Sequence, residues 1–566
     1  MPESRITISE DLDSLGMPMA RMDWRLSELD WQFADARIPG AGTRLGMDGA
    51  LRLGGAEGMV FEGTRLSNTD VDLRTVRMVS PAVILEGRLA LDGSLTGPWR
   101  NVVFDGRAEH RDEGRPPSRL AGTVRLDTRA AVLGLESNVV LDSLSFDGIR
   151  RTFPTLELQG SLGGPVKLSG FLDRLAVDAD VGGAIGQIRA VGTATVLPPR
   201  WGADSLRLIF SRVNLAAMAR RGPPTNLAGT MDLTGTADSA VAPEGRLALT
   251  LGKGRIREFA LDSASALLSA ADSVIVVDTV RAAFAGGRVA GSGTIGWASP
   301  KTGRMTIHAD AQELAPFDSL GLALTGFSRD STANNPIMEG HATADLTLSG
   351  ALGALQVEGS VLVNPFRWLG YKATNLRSQF AWASGDSSLT VNASADSLIV
   401  RSMVFSSVVA GGRGRTDSLQ WSASLVGKDS ARVAGGGRFE TSGDVRLLHA
   451  DSLNLDLFGR SWRLARPLDA RIRDSLISLD TVRMITKDGA GSVEVRGDIS
   501  RGASSDLSIT ALGVELREIY GLTQRDTAGI DGSVMLDARV TGTSRAPELR
   551  GIGALTEGSS VTSRPR

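Results

Sequence analysis

Residues 340–359 read GHATADLTLSGALGALQVEG, and the placing of the glycines in that stretch decides how the chain is read. Gly340, Gly350 and Gly359 stand at steps of ten and nine residues, with alternating strand-like sequence around them. The same steps recur at Gly87, Gly97 and Gly106 (GRLALDGSLTGPWRNVVFDG) and at Gly532, Gly542 and Gly551 (GSVMLDARVTGTSRAPELRG). A looser copy holds Gly235 and Gly245 in GTMDLTGTADSAVAPEG. Self-similarity at long intervals marks a repeat architecture, in which each unit buries surface against the next. The expected fold is all-β: an elongated repeat β-solenoid folded over into a trough with an apolar groove, a few short connector helices, and these glycines at its bends.

The sequence between the glycines alternates with period two. Leu206, Leu208 and Phe210 take every second position, as do Leu389 and Val391, Leu419 and Trp421, and Leu453, Leu455 and Leu457. That period puts each set on one face of a sheet, so these ten side chains are the candidate groove lining. Several sets follow Asp-Ser-Leu, found at Asp142, Asp204, Asp396, Asp417, Asp451 and Asp474. The tripeptide reads as a turn, since Asp and Ser bond back to their own backbone. After Asp474 the apolar phase slips by one, to Ile477 and Leu479, a slip that a β-bulge would absorb. At about 25 cal/mol per Å², a few thousand Å² of exposed apolar face forfeits tens of kcal/mol. The face must pack on another sheet, fold over, or be filled by something apolar.

Helical periodicity is confined to three short stretches, Val213–Arg221, Gln312–Leu320 and Val514–Gly521, each preceding a glycine-rich strand. They read as recurring connectors that plug or cap, and Gly326–Asn335 reads as a flexible loop. With 566 residues the chain exceeds one hydrophobic core, yet no composition break divides it. The glycine phrases divide it into repeat segments 1–86, 87–228, 229–339, 340–531 and 532–566. Both ends read as cut inside repeats, so the chain reads as a middle segment.

The 62 basic and 64 acidic residues are interspersed, leaving a net charge of −2 and no basic face for nucleic acid. Cysteine is absent, which removes disulfides, zinc–thiolate sites and a cysteine nucleophile. The start MPESRITISE has no apolar core of a signal peptide, and no run of about 18 apolar residues offers a membrane span. Gly291-Ser-Gly293-Thr-Ile-Gly296 matches a dinucleotide fingerprint, but Pro300 and strand-like flanks oppose the helix that such a site needs. Gly252-Lys253-Gly254 reads as a turn. His110, His308, His341 and His449 are scattered without metal-ligand spacing and read as surface residues. Trp99, Trp297 and Trp368 read as rim packing. No catalytic constellation, metal site or cofactor site emerges, and the chain reads as a non-enzyme.

The glycine-spaced strand phrases LTLSGALGALQVEGSVLV and MLDARVTGTSRAPELRGIGAL, with the connectors Asn214-Leu215, Glu313-Leu314 and Glu515-Leu516, carry a resemblance. They resemble repeats of the TamB family, the inner-membrane component of the translocation and assembly module, and of AsmA-like proteins. The resemblance runs from about Gly87 to Gly551. It implies a periplasmic β-taco, anchored in the inner membrane, whose groove carries phospholipid acyl chains toward the outer membrane. It also implies an Omp85-class outer-membrane barrel as partner in protein assembly and secretion. The family's N-terminal anchor and C-terminal domain are not recognisable in this sequence. The alternative is a secreted or surface structural or adhesive β-solenoid with a dry core.

Overall fold

The computed structural model describes residues 5–560, apart from 13–17, 33–41, 54–56, 75–76, 78–84, 153–157, 198–199, 221, 239–240, 319–337, 369–370, 401–402, 428–430, 458, 474–475, 501–503, 519–529 and 544–545. The loop expected at Gly326–Asn335 lies outside the described residues. The chain is nearly all β, with a few single helical turns between strands. It forms two compact units, Met1–Ala282 and Ala283–Arg566. Repeat boundaries drawn at 228/229, 339/340 and 531/532 fall inside the strands Thr225–Asp238, Met338–Ala351 and Ile530–Thr543. They are marks along a sheet, not gaps between bodies.

Each unit is largely an antiparallel meander, with some strands broken in two, as where Val241–Leu251 and Gly254–Ile256 both bond to Thr225–Asp238 and to Phe259–Ala271. In the first unit the run Arg88–Pro98, Asn101–Arg111, Ser118–Asp127, Gly134–Ser145, Ser161–Phe171, Arg174–Gly183, Gly186–Leu197, Arg200–Val213 and Thr225–Asp238 pairs strictly in order. A meander has two edges. Here the chain reverses after Pro98, Asp127, Phe171 and Leu197 on one, and after Asp72, Arg111, Ser145, Gly183 and Val213 on the other. The long connections lie on the second edge.

The glycine phrase has one structural meaning in all three copies. Its second member, Gly97, Gly350 or Gly542, stands just before a hairpin reversal. Its third lies opposite the residue six positions after its first: Gly106 pairs with Gly93, Gly359 with Leu346, and Gly551 with Ala538. At Gly106 the neighbouring strand comes so near that an added Cβ would collide with the Asp92 carbonyl and lie 2.5 Å from Cα of Gly93. Gly340 has φ +139°, and an added Cβ would run into the Pro365 carbonyl.

Asp-Ser-Leu needs correction as a turn signal. Only Asp417 lies in a reversal, between Met403–Arg415 and Ser418–Gly427. Asp142, Asp204 and Asp451 lie within strands, each as the extra residue of a bulge. Thus Ala203 and Ser205 pair with Ala194 and Thr193, and Ala450 and Ser452 with Gly437 and Gly436. Leu141 and Ser143 likewise pair with Leu120 and Arg119. Asp396 interrupts a strand between Ser388–Ala395 and Ser397–Val400, and Asp474 lies outside the described residues. The backbone preference that suits Asp to turns suits the near-helical residue of a bulge equally well. A fourth bulge, at Asp480, returns Val482 and Met484 to the face of Ile477 and Leu479. Bulges bend their strands and sharpen the local twist.

Replacing Gly106 by Ala is expected to destabilise its hairpin by about 2 kcal/mol or more, through backbone collision. Gly353→Ala, where a Cβ meets nothing within 4 Å, is expected to be near neutral. Amide hydrogen exchange over Arg88–Arg111 and over Met338–Trp368 checks each locally, without assuming a two-state chain.

Candidate functional site

The apolar face is built by register. In the first unit Leu208 lies opposite Ala190 and Met231, Leu206 opposite Gly192 and Leu233, and Phe210 opposite Ile188 and Gly229. The row continues from Met231 to Leu249 and on to Ala266. In the second unit Leu389 and Val391 lie opposite Trp382 and Phe380. Trp421 sits between Gly412 and Gly437, and Leu419 between Gly414 and Phe439. Leu453 and Leu455 face Gly435 and Val433. Leu457 pairs with Arg460, so it ends its row beside charge, not among apolar neighbours. The ten residues therefore form two separate sets, three on the first unit and seven on the second.

All ten are half-buried. Extensive contacts join only hydrogen-bonded neighbours, together with the helical turn Ala315–Phe317 and its strand.

The opposite face is polar and cross-linked by charge. Arg207 pairs with Asp232 at 2.6 Å, Arg125 with Glu136 at 3.2 Å and Arg189 with Asp178 at 3.3 Å. His308 meets Asp345 at 2.8 Å. Hydrogen bonds from Arg111, and then from Arg119, pull the Glu109 carboxyl from 4.5 to about 2. In the second unit this face holds a cavity of about 690 Å³ lined by Arg438, Glu440, His449, Asp469, Arg471 and Asp480 among others. The His449 imidazole is raised by its bond to Asp469, at 2.7 Å, with Asp451 adding on its other nitrogen. The polar face also carries isolated exposed apolar residues, Val140, Val191, Ile209 and Leu267.

The connectors are shorter than their sequence periodicity suggests. They are Leu215–Met218, capped by Asn214 accepting from the Ala216 N–H, the turn Ala315–Phe317, and residues 516–518. Each ties its edge with a polar side chain. Asn214 also accepts from the Thr225 N–H, and buried Asp318 accepts from the Met338 N–H at 2.7 Å. Buried Glu518 accepts from the Trp462 indole at 3.1 Å. A fourth connector, Asp72-Leu73, escaped the sequence reading. Its signal was the same acidic-or-amide residue followed by Leu, with the Leu fourteen residues before Gly87. The N–H of Leu73 donates to the Gly87 carbonyl as that of Leu314 does to Gly340, both at 3.0 Å. His110 is a correction: it is buried on this edge, 2.6 Å from the Glu86 carbonyl, not a surface residue. Trp99 and Trp297 are exposed in turns, and Trp368 lies 6.5 Å from Tyr371. The stretch 291–296 is part of the strand Gly287–Gly296. Among the described residues no helix is long and apolar enough to cross a membrane.

No family model matches the chain, and no curated protein matches it.

The depressed Glu109 carboxyl contributes stability that is complete above about pH 4.5 and lost as pH falls through 2. Hydrogen exchange of the strand Asn101–Arg111 is expected to be slower in the wild type than in Glu109→Gln at pH 6, with the difference vanishing near pH 2.

Proposed function

We propose that this chain is part of a bridge-like cell-envelope protein that carries phospholipid acyl chains along an apolar β-groove toward the outer membrane, in the manner of TamB. One observation carries the reading: each unit presents rows of half-buried aliphatic and aromatic side chains held in register across neighbouring strands. A buried CH₂ is worth about 0.8 kcal/mol, so a sixteen-carbon tail in water costs roughly 12 kcal/mol. A conduit must cover such a tail continuously and hold it weakly at each step. Leu, Val, Ala and Gly in register do so, because they supply contact without a directional bond. In this setting the chain works in the periplasm. The inner-membrane anchor, the docking on an Omp85-class barrel and the support of outer-membrane protein assembly belong to the same proposal.

Photo-crosslinkers placed at Leu208 and Leu455 are expected to capture phospholipid, and those at Arg207 and Asp232 on the polar face to capture none. Capture from the polar positions alone would sink the groove assignment. Leu455→Asp is expected to lower lipid recovered with the second unit roughly tenfold, because an unpaired carboxylate is costly beside apolar chains. The fold is expected to persist, since repeats contact only their neighbours. Mass spectrometry of copurified lipid, with circular dichroism as the folding control, reads both.

A further inference from the structure

In each unit the polar face is hollowed beside a pair of bulged strands. In the first unit Met59–Asp72 is bulged at Ser67 and Asn68, with φ +50° at Asn68, and Gly134–Ser145 is bulged at Asp142. Residues of both strands line a cavity of about 470 Å³, with Asp92, Arg107 and Glu109 between them. In the second unit Asp451 is the extra residue on Val445–Leu457 and Asp480 on Leu476–Thr486, and residues of both strands line the cavity of about 690 Å³. A flat strip of sheet encloses no such space, whereas a bulge bends and twists the strand that carries it.

Most charges in these cavities are already engaged. Glu109 is held by Arg111 and Arg119, and Asp70 by Arg88. Arg438 meets Glu440 at 3.4 Å, and His449 meets Asp469 at 2.7 Å. Arg44 is engaged as well. What remains is opposite charge in each hollow. Arg107, Asp92 and Asp142 in the first, and Arg471 and Asp480 in the second, are exposed, and their side chains have no hydrogen-bond or ion-pair partner among the described residues. Asp92 stands directly opposite Arg107 in register, yet the two do not pair. Arg471 stands opposite Leu447 and Ser478, neither of which can neutralise it.

We propose that each cavity binds a small zwitterionic group carrying a phosphate and a primary ammonium a few bonds apart, as phosphoethanolamine does. The phosphate lies on Arg107 or Arg471, and the ammonium on Asp92 and Asp142 or on Asp480. Both cavities lie on the face opposite the apolar rows, so these sites stand or fall apart from the groove. A guanidinium fork matches two oxygens of a phosphate, and an ammonium gives a carboxylate a charge-assisted hydrogen bond. One exposed ion pair is worth little, so a simple anion or a simple amine is held weakly. Opposite charges that share a hollow without meeting hold a molecule that satisfies both, and its freedom is lost only once. No internal ion pair is broken when it enters.

The test is isothermal titration calorimetry of the full chain with O-phosphoethanolamine, with ethanolamine and with methyl phosphate. The wild type is expected to take up phosphoethanolamine at both cavities, about tenfold or more tightly than either half-molecule, as a second charged hydrogen bond allows. Arg107→Gln and Arg471→Gln are each expected to leave one site, and the double variant none. With Arg107→Gln in place, Asp480→Asn is expected to bring the remaining site down to the affinity of methyl phosphate. Asn suits the bulge as Asp does, and circular dichroism checks the fold. Flotation with phosphatidylethanolamine vesicles separates two sources of the group. Capture that the double variant loses assigns a lipid headgroup, and binding of the free compound alone assigns a soluble one. Phosphoethanolamine bound no more tightly than its halves, or a stoichiometry unchanged in the variants, overturns the sites and leaves the groove standing.

Discussion

The backbone hydrogen-bond ladder between neighbouring strands is the interaction on which each unit depends. A layered domain can lose part of a ladder and still be held by its core. Here the contacts of a strand are those with the strands beside it. That explains where glycine is required: at Gly106 and Gly340 the ladder closes only if the side chain is missing. It also explains why charge pairs follow the ladder, as at Arg207 with Asp232 and Arg125 with Glu136, each bridging adjacent strands.

Much of the fold was legible because it rests on period two. Leu206, Leu208 and Phe210 announce their shared face without any knowledge of their neighbours, and the ladder supplies Ala190 and Met231 beside Leu208. The glycine phrase was legible as repetition, while its meaning, a fixed pairing of the third glycine with the sixth residue after the first, needed the register. Asp-Ser-Leu misled for a physical reason: turn and bulge ask the same of the backbone, and only pairing tells Asp417 from Asp204.

The edges were the least legible part. Which edge a turn such as that after Phe171 joins depends on counting reversals, and a single misplaced strand moves it to the far side. The turns supposed at Asp142, Asp204 and Asp451 would each have done so. Asp72-Leu73 was missed because its helical signal is only a few residues long, and His110 because its partner is a backbone carbonyl 24 residues away.

The register of the glycine phrase sets a rule of growth. Each phrase runs out from the connector edge, round one hairpin, and back to the residue opposite the sixth after its start. A meander that gains or loses a whole hairpin brings the next strand to the same edge with the same face turned inward. A change of one strand exchanges the edges for everything that follows. The natural increment of length in such a chain is therefore two strands, and evolution can lengthen or shorten the groove in those steps without re-addressing a single side chain.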